Sequence, residues 1–124
     1  MGLDVLMPAN TLSWHVPSNP IWRPPTDVFE TEEAVIVRVE VAGMREQDFT
    51  IALEERLLTI RGNRTDILER RAYHQMEIRF GEFGMQIELP VAVVADQIQA
   101  AYQDGFLKVI LPKARPRNIK IVER

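Results

Sequence analysis

The sequence predicts an all-β protein, an antiparallel β-sandwich, on three observations. Apolar and polar residues alternate with period two in six short runs between Val35 and Leu111. Turn-forming residues separate those runs at short intervals, and a helix is hard to place anywhere beyond one short turn at Glu46–Phe49. Successive side chains of a strand point to opposite faces, so each run reads as a half-buried strand. Many short strands at this spacing pack as two antiparallel layers.

The runs follow in order. In Val35–Val41, four valines take one face while Arg38 and Glu40 take the other. Phe49, Ile51 and Leu53 alternate with Thr50, Ala52 and Glu54, and Leu58 and Ile60 alternate with Leu57, Thr59 and Arg61. Phe83, Met85, Ile87 and Leu89 alternate with Gly84, Gln86 and Glu88. Ile98, Ala100 and Tyr102 alternate with two glutamines and Ala101, and Leu107, Val109 and Leu111 alternate with Phe106, Lys108 and Ile110. Turns are expected at Ala42-Gly43, Glu54-Glu55-Arg56, Arg61-Gly62-Asn63, Gly81, Leu89-Pro90 and Gln103-Asp104-Gly105. Asp-Gly between two alternating runs is a strong hairpin signal, because a tight primed turn needs positive φ.

Composition bounds the rest. The 124 residues suit one domain, and 46% apolar with 27% charged residues is a globular balance. With no cysteine there is no disulfide framework, thiolate zinc site or catalytic thiol. No apolar run approaches a membrane span. Met1-Gly2-Leu3-Asp4 lacks the features of a secretory signal, so a cytoplasmic location is expected. The formal charge of −3 argues against a general nucleic-acid binder. Residues 113–124 nevertheless carry +4 against −7 for the first 112. A basic tail on an acidic body either folds back, grips a partner or stays solvated.

Two segments escape the alternation. Residues 1–25 hold five of the eight prolines and both tryptophans, Trp14 and Trp22. Proline fixes φ and lacks a donor, so this arm should be irregular or extended. Its tryptophans are expected to pack on the domain, on another subunit or on a client. Residues 64–80 are charged, and Ile67, Leu68, Tyr73, Met76 and Ile78 show no clean alternation among them. A loop of that length in a compact domain is usually functional or disordered, and its apolar residues suggest that it packs against something.

Catalytic chemistry finds few candidates. His15 and His74 have no metal-ligand spacing, and the two serines, Ser13 and Ser18, lie in the arm outside any nucleophile elbow. No Gly-rich phosphate cradle is present. Glu32-Glu33 and Glu54-Glu55 are neighbours beside turns, and adjacent carboxylates of a strand face opposite ways. The expectation is a non-enzyme with no metal and no cofactor. The tail, by contrast, places Ile119 and Ile121 two apart among basic residues and beyond Pro116. In an extended segment both face the same way. They suit either addition to a sheet edge with two side chains in pockets or a final strand of the chain's own sheet.

Taken together, several stretches resemble the small heat-shock proteins, the Hsp20 or α-crystallin-domain family. Ala100-Ala-Tyr-Gln-Asp-Gly-Phe-Leu107 matches that family's Ala, three variable residues, Asn/Asp, Gly, apolar, Leu signature. Val39-Glu-Val-Ala-Gly-Met-Arg-Glu-Gln-Asp-Phe49 resembles its strand–turn–acidic start, Leu57-Leu-Thr-Ile-Arg-Gly62 the strand that follows, and Ile119-Lys-Ile121 its Ile-x-Ile tail motif. The match runs in order over residues 24–121.

The resemblance implies an immunoglobulin-like sandwich of seven to nine strands over residues 24–112, preceded by an arm (1–23) and followed by an extension (113–124). It implies a dimer in which a strand of the long loop crosses to the partner's sheet, giving Ile67, Leu68, Tyr73, Met76 and Ile78 a place to pack. Ile119 and Ile121 are then expected to dock in a groove of a neighbouring dimer lined by Phe49, Ile51, Leu53, Ile98 and Ala100. Leu12, Trp14, Val16, Ile21 and Trp22 are expected to offer client-binding surface. The implied function is an ATP-independent holdase chaperone that binds non-native proteins and itself. The alternative is a CS/p23-like adaptor for one folded chaperone, which needs neither the loop nor the tail motif. Two positions depart from the family pattern: Met85 stands where Arg is common at the dimer interface, and Ala42 stands where Pro usually precedes Gly43.

Overall fold

The computed structural model describes residues 21–115 and 121–122. Its strands are β1 (Thr26–Glu30), β2 (Ala34–Glu40), β3 (Phe49–Glu54), β4 (Leu57–Arg64), β5 (Gly81–Glu88), β6 (Gln99–Gln103) and β7 (Phe106–Pro112). They form two antiparallel sheets, one ordered β1-β2-β7-β6 and the other β3-β4-β5. The all-β sandwich follows from the alternation. Val35, Val37 and Val39 of β2 register against Leu111, Val109 and Leu107 of β7, so six branched side chains enter the core from one sheet. Leu58 and Ile60 of β4 register against Ile87 and Met85 of β5 and enter from the other. Each fully buried side chain of this kind contributes about 1.5–3 kcal/mol.

The turns obey their local chemistry. Asp104 (φ 53°) and Gly105 (φ 83°) both take positive φ, as the tight β6–β7 hairpin requires. No turn forms at Arg61-Gly62-Asn63, which lies within β4; Gly62 answers a close approach instead, pairing with Phe83 of β5 where a Cβ would run into the Phe83 ring. A 3-10 turn over Glu46–Asp48 stands where one short turn was expected, and a second, over Ala95–Gln97, had no signal in the alternation.

β1 also lacks a counterpart among the alternating runs. Asp27, Val28, Phe29 and Glu30 are all exposed, so this edge strand has no buried face to impose a pattern. At the other boundary the fold takes up more chain than expected. Trp22 bridges to Phe83 in parallel, its N–H donating to the Glu82 carbonyl at 3.2 Å and its carbonyl accepting from the Gly84 N–H at 3.1 Å. Its indole is 7% exposed and meets the Phe83 ring edge-on at 5.3 Å. Trp22 is therefore a core residue, which corrects its assignment to a client-binding arm. Ile21 beside it is exposed; Leu12, Trp14 and Val16 lie outside the described residues.

Candidate functional site: a groove between sheet edges and an uncovered loop

Topology puts β3 at the edge of one sheet and β6 at the edge of the other. Between them lies a cavity of about 190 Å³ lined by Phe49 and Ile51 of β3, Ala100, Ala101 and Tyr102 of β6, Leu107 of β7, and Glu46. An edge strand carries unpaired backbone donors and acceptors on its outer side. Here two such edges flank an apolar slot, and the small side chains of Ala100 and Ala101 leave it open.

Of the five residues expected in this groove, Phe49, Ile51 and Ala100 line the cavity. Leu53 and Ile98 do not: Leu53, on β3, and Ile98, just before β6, are partly buried against the core. Tyr102, Leu107, Ala101 and Glu46 complete the lining. Tyr102 was legible as the residue two beyond Ala100 on the same face, but its role depends on contacts no spacing encodes. Its hydroxyl donates to the Val41 carbonyl at 2.7 Å and accepts from the Met44 N–H at 3.2 Å, and its ring lies 5.2 Å from that of Phe49. Phe49 in turn lies 6.1 Å from Phe83. The rings of Tyr102 and Phe49 that line the slot thus continue inward to Phe83 in the core.

Residues 65–80 form a loop without strand structure. Ile67, Leu68, Tyr73, Met76 and Ile78 are between 50% and 99% exposed. Five large apolar groups held in solvent on one segment exceed the scattered surface hydrophobes that need no explanation. Among the described residues the edge strand β1 is likewise unpaired on its outer side. Met85, at the position where the family pattern commonly has Arg, is buried and accepts a contact from the Thr26 hydroxyl at 3.2 Å.

The root of the tail is stitched to the sandwich. Lys113 bridges Val93, its N–H donates to the Glu33 carbonyl at 2.9 Å, and the Ala114 N–H donates to the Ala92 carbonyl at 2.9 Å. Lys113 Nζ lies 2.8 Å from Glu30, and the Arg115 guanidinium lies 2.7 Å from Glu33. Two of the five basic tail residues thus fold back onto acidic residues beside the β1–β2 turn. Glu33 here serves as a tail anchor. Beyond them Ile121 is 90% exposed and belongs to no strand, while Ile119 lies outside the described residues. Among the described residues no group of three His, Asp or Glu side chains is placed to hold a metal, and no helix is long and apolar enough to cross a membrane.

Comparison with known proteins agrees with this architecture. The sequence profile of the Hsp20/alpha crystallin family matches residues 27–123. Small heat shock protein C2 of Rickettsia felis is 30% identical over 102 residues, covering 81% of this chain and 66% of that protein. Heat shock protein 16.0 of Schizosaccharomyces pombe superposes with a TM-score of 0.67 at 29% identity, covering 82% of this chain and 98% of that one. A small heat-shock protein from Xylella fastidiosa, described as having a distinct high order structure, gives a TM-score of 0.69 at 25% identity, covering 84% of this chain and all of the other. With the family profile matched over most of its length and the sandwich superposing on solved small heat-shock proteins, the chain belongs to the Hsp20/alpha crystallin family.

Proposed function

We propose that this protein is an ATP-independent holdase chaperone that binds partly unfolded proteins, keeps them from aggregating, and assembles as dimers and higher oligomers. The observation that carries the reading is the amount of apolar surface left open on a well-packed sandwich. A slot between two sheet edges, five exposed apolar side chains on one loop and an exposed Ile121 all surround a core that is fully buried. Such surface suits association with other copies and with the hydrophobic segments of non-native chains. The action is mass action: capturing non-native chains lowers the free concentration of the species that aggregates, with no nucleotide or covalent step.

In this reading the apolar residues of the 65–80 loop pack on a partner chain, where the outer side of β1 offers an edge for a crossing strand. Ile119 and Ile121 enter the β3–β6 groove of a neighbouring copy. Burying two isoleucines yields roughly 3–6 kcal/mol gross, less the cost of ordering the tail. A single docking is weak and reversible, and many in one assembly add up. The groove vacated by a tail then becomes client surface. The distinct high order structure described for the Xylella fastidiosa protein is in keeping with assembly.

The test is aggregation of several unrelated clients followed by light scattering without ATP. Suppression near stoichiometric ratios across all clients is expected. An adaptor of the CS/p23-like kind would leave aggregation unchanged.

A further inference from the structure

The long loop returns to the sandwich beside its own starting point, and one side chain spans the junction. Arg64 is the last residue of β4, immediately before the loop. Its Nε donates to the carbonyl of Arg79 at 2.9 Å, and one Nη donates to the same carbonyl. The other Nη donates to the Ala42 carbonyl at 3.3 Å, at the turn after β2. The guanidinium carbon also lies 4.7 Å from the Trp22 ring centroid and 5.3 Å from that of Phe80. One cation therefore joins four separate pieces of chain: the end of β4, the returning limb of the loop, the β2 turn and the segment entering the fold. Gly43 lies close by, its missing Cβ 3.9 Å from the Arg64 side chain.

We propose that Arg64 is the positioning residue of the 65–80 loop: its forked contacts to Arg79 and Ala42, held against Trp22 and Phe80, set the angle at which the loop leaves the sandwich and so govern the strength of self-association. The last part rests on the reading of the loop as the surface that meets a partner chain. The chemistry calls for arginine. A guanidinium is planar, offers donors along two edges and stacks on aromatic faces, whereas a lysine ammonium is a point charge that cannot hold one carbonyl with two donors while reaching a second. The root has a second tie, from the Trp22 indole N–H to the Gly81 carbonyl at 3.3 Å. Gly81, where the loop re-enters β5, has φ 98° and open space where a Cβ would stand. Without the clasp, the glycine's wide backbone freedom lets the limb preceding it swing more widely.

The experiment compares the full-length native chain with Arg64→Lys and Arg64→Gln by hydrogen exchange, at a concentration where the native chain is associated. Loss of a forked, charge-assisted contact is expected to raise exchange across residues 77–82 about tenfold in both variants. Amides of β2 and β7 should keep native protection, which separates the effect from general destabilisation. In a Trp14→Phe background, the emission of Trp22 should shift with each Arg64 variant. Native exchange at 77–82 in Arg64→Gln, or full restoration by Arg64→Lys, overturns the proposal. A Leu68→Asp variant tests the loop reading separately. With Leu68→Asp weakening the dimer, Arg64→Gln should raise the dimer dissociation constant about tenfold, and an unchanged constant overturns the governing role. If Leu68→Asp leaves association intact, the loop reading falls, along with any effect of Arg64 on association, while the clasp itself stands or falls on the exchange result.

Discussion

The Tyr102 hydroxyl donates to the carbonyl of Val41, 61 positions earlier in the chain, at 2.7 Å. The same oxygen accepts the Met44 N–H, so one phenol ties the turn after β2 to the edge strand that walls the groove. Its ring meanwhile packs on Phe49 of the opposite edge. The groove wall is bonded to the body of the sandwich through contacts that need no occupant.

Tyr102→Phe keeps the ring and removes that tie. A partly buried carbonyl and N–H then lose their shared partner, and the expected cost is about 1–2 kcal/mol in urea unfolding. The assembly should keep its mass, since the apolar lining survives. A loss of mass without loss of stability would show that the hydroxyl contacts a neighbour instead.

Gly62→Ala is expected to destabilise by about 1–3 kcal/mol, because the added methyl overlaps the Phe83 ring. Combining it with Phe83→Leu should be less harmful than the sum of the two single changes, a coupling that a double-mutant cycle in thermal or urea unfolding reads directly. Additive effects would mean that the strand pair relaxes around the methyl.

Ile119→Gly with Ile121→Gly should shrink the species seen by light scattering coupled to size exclusion and leave a folded dimer. Filling the slot from the other side with Ala100→Trp should do the same. Agreement between a tail variant and a groove variant identifies the two as partners. An unchanged mass in both assigns higher assembly to another surface.

Glu30→Gln with Glu33→Gln removes the two ion pairs at the tail root. Exposed pairs of this kind are worth about 0–1 kcal/mol, so thermal stability should barely move. The backbone bonds of Lys113 and Ala114 remain to aim the tail, and assembly is expected to persist at raised salt. Dissociation on this change would give the electrostatic anchor a far larger role than exposed charges ordinarily have.

Much of the fold was legible because a two-layer sandwich forces alternation wherever a strand has one dry and one wet face. Val35–Val41 and Leu107–Leu111 show this directly: their inward residues are buried and Arg38 and Lys108 are exposed. β1 escaped because all but its first residue face solvent, leaving no contrast to read. Trp22 escaped for the opposite reason. Its proline-rich setting signals irregular backbone, and only the three-dimensional path of β5 brings Phe83 and two backbone bonds to meet it. In the groove, Phe49, Ile51 and Ala100 followed from family resemblance and strand parity. Leu53 and Ile98 pack against the core outside the cavity, a three-dimensional placement that period two does not encode. The Arg64 clasp was beyond reach, since its hydrogen-bond acceptors are backbone carbonyls, which carry no sequence signature.

The most direct test of the central claim, that the tail of one copy occupies the groove of another, uses the absence of native cysteine. One population carries Ile121→Cys and another Ala100→Cys; they are mixed, allowed to exchange subunits and oxidised. A disulfide needs Cα atoms within about 7 Å, so an inter-chain cross-link between the two populations is predicted, with only background when Ala100→Cys is replaced by Glu40→Cys. Cross-linking no stronger than that control would contradict the account.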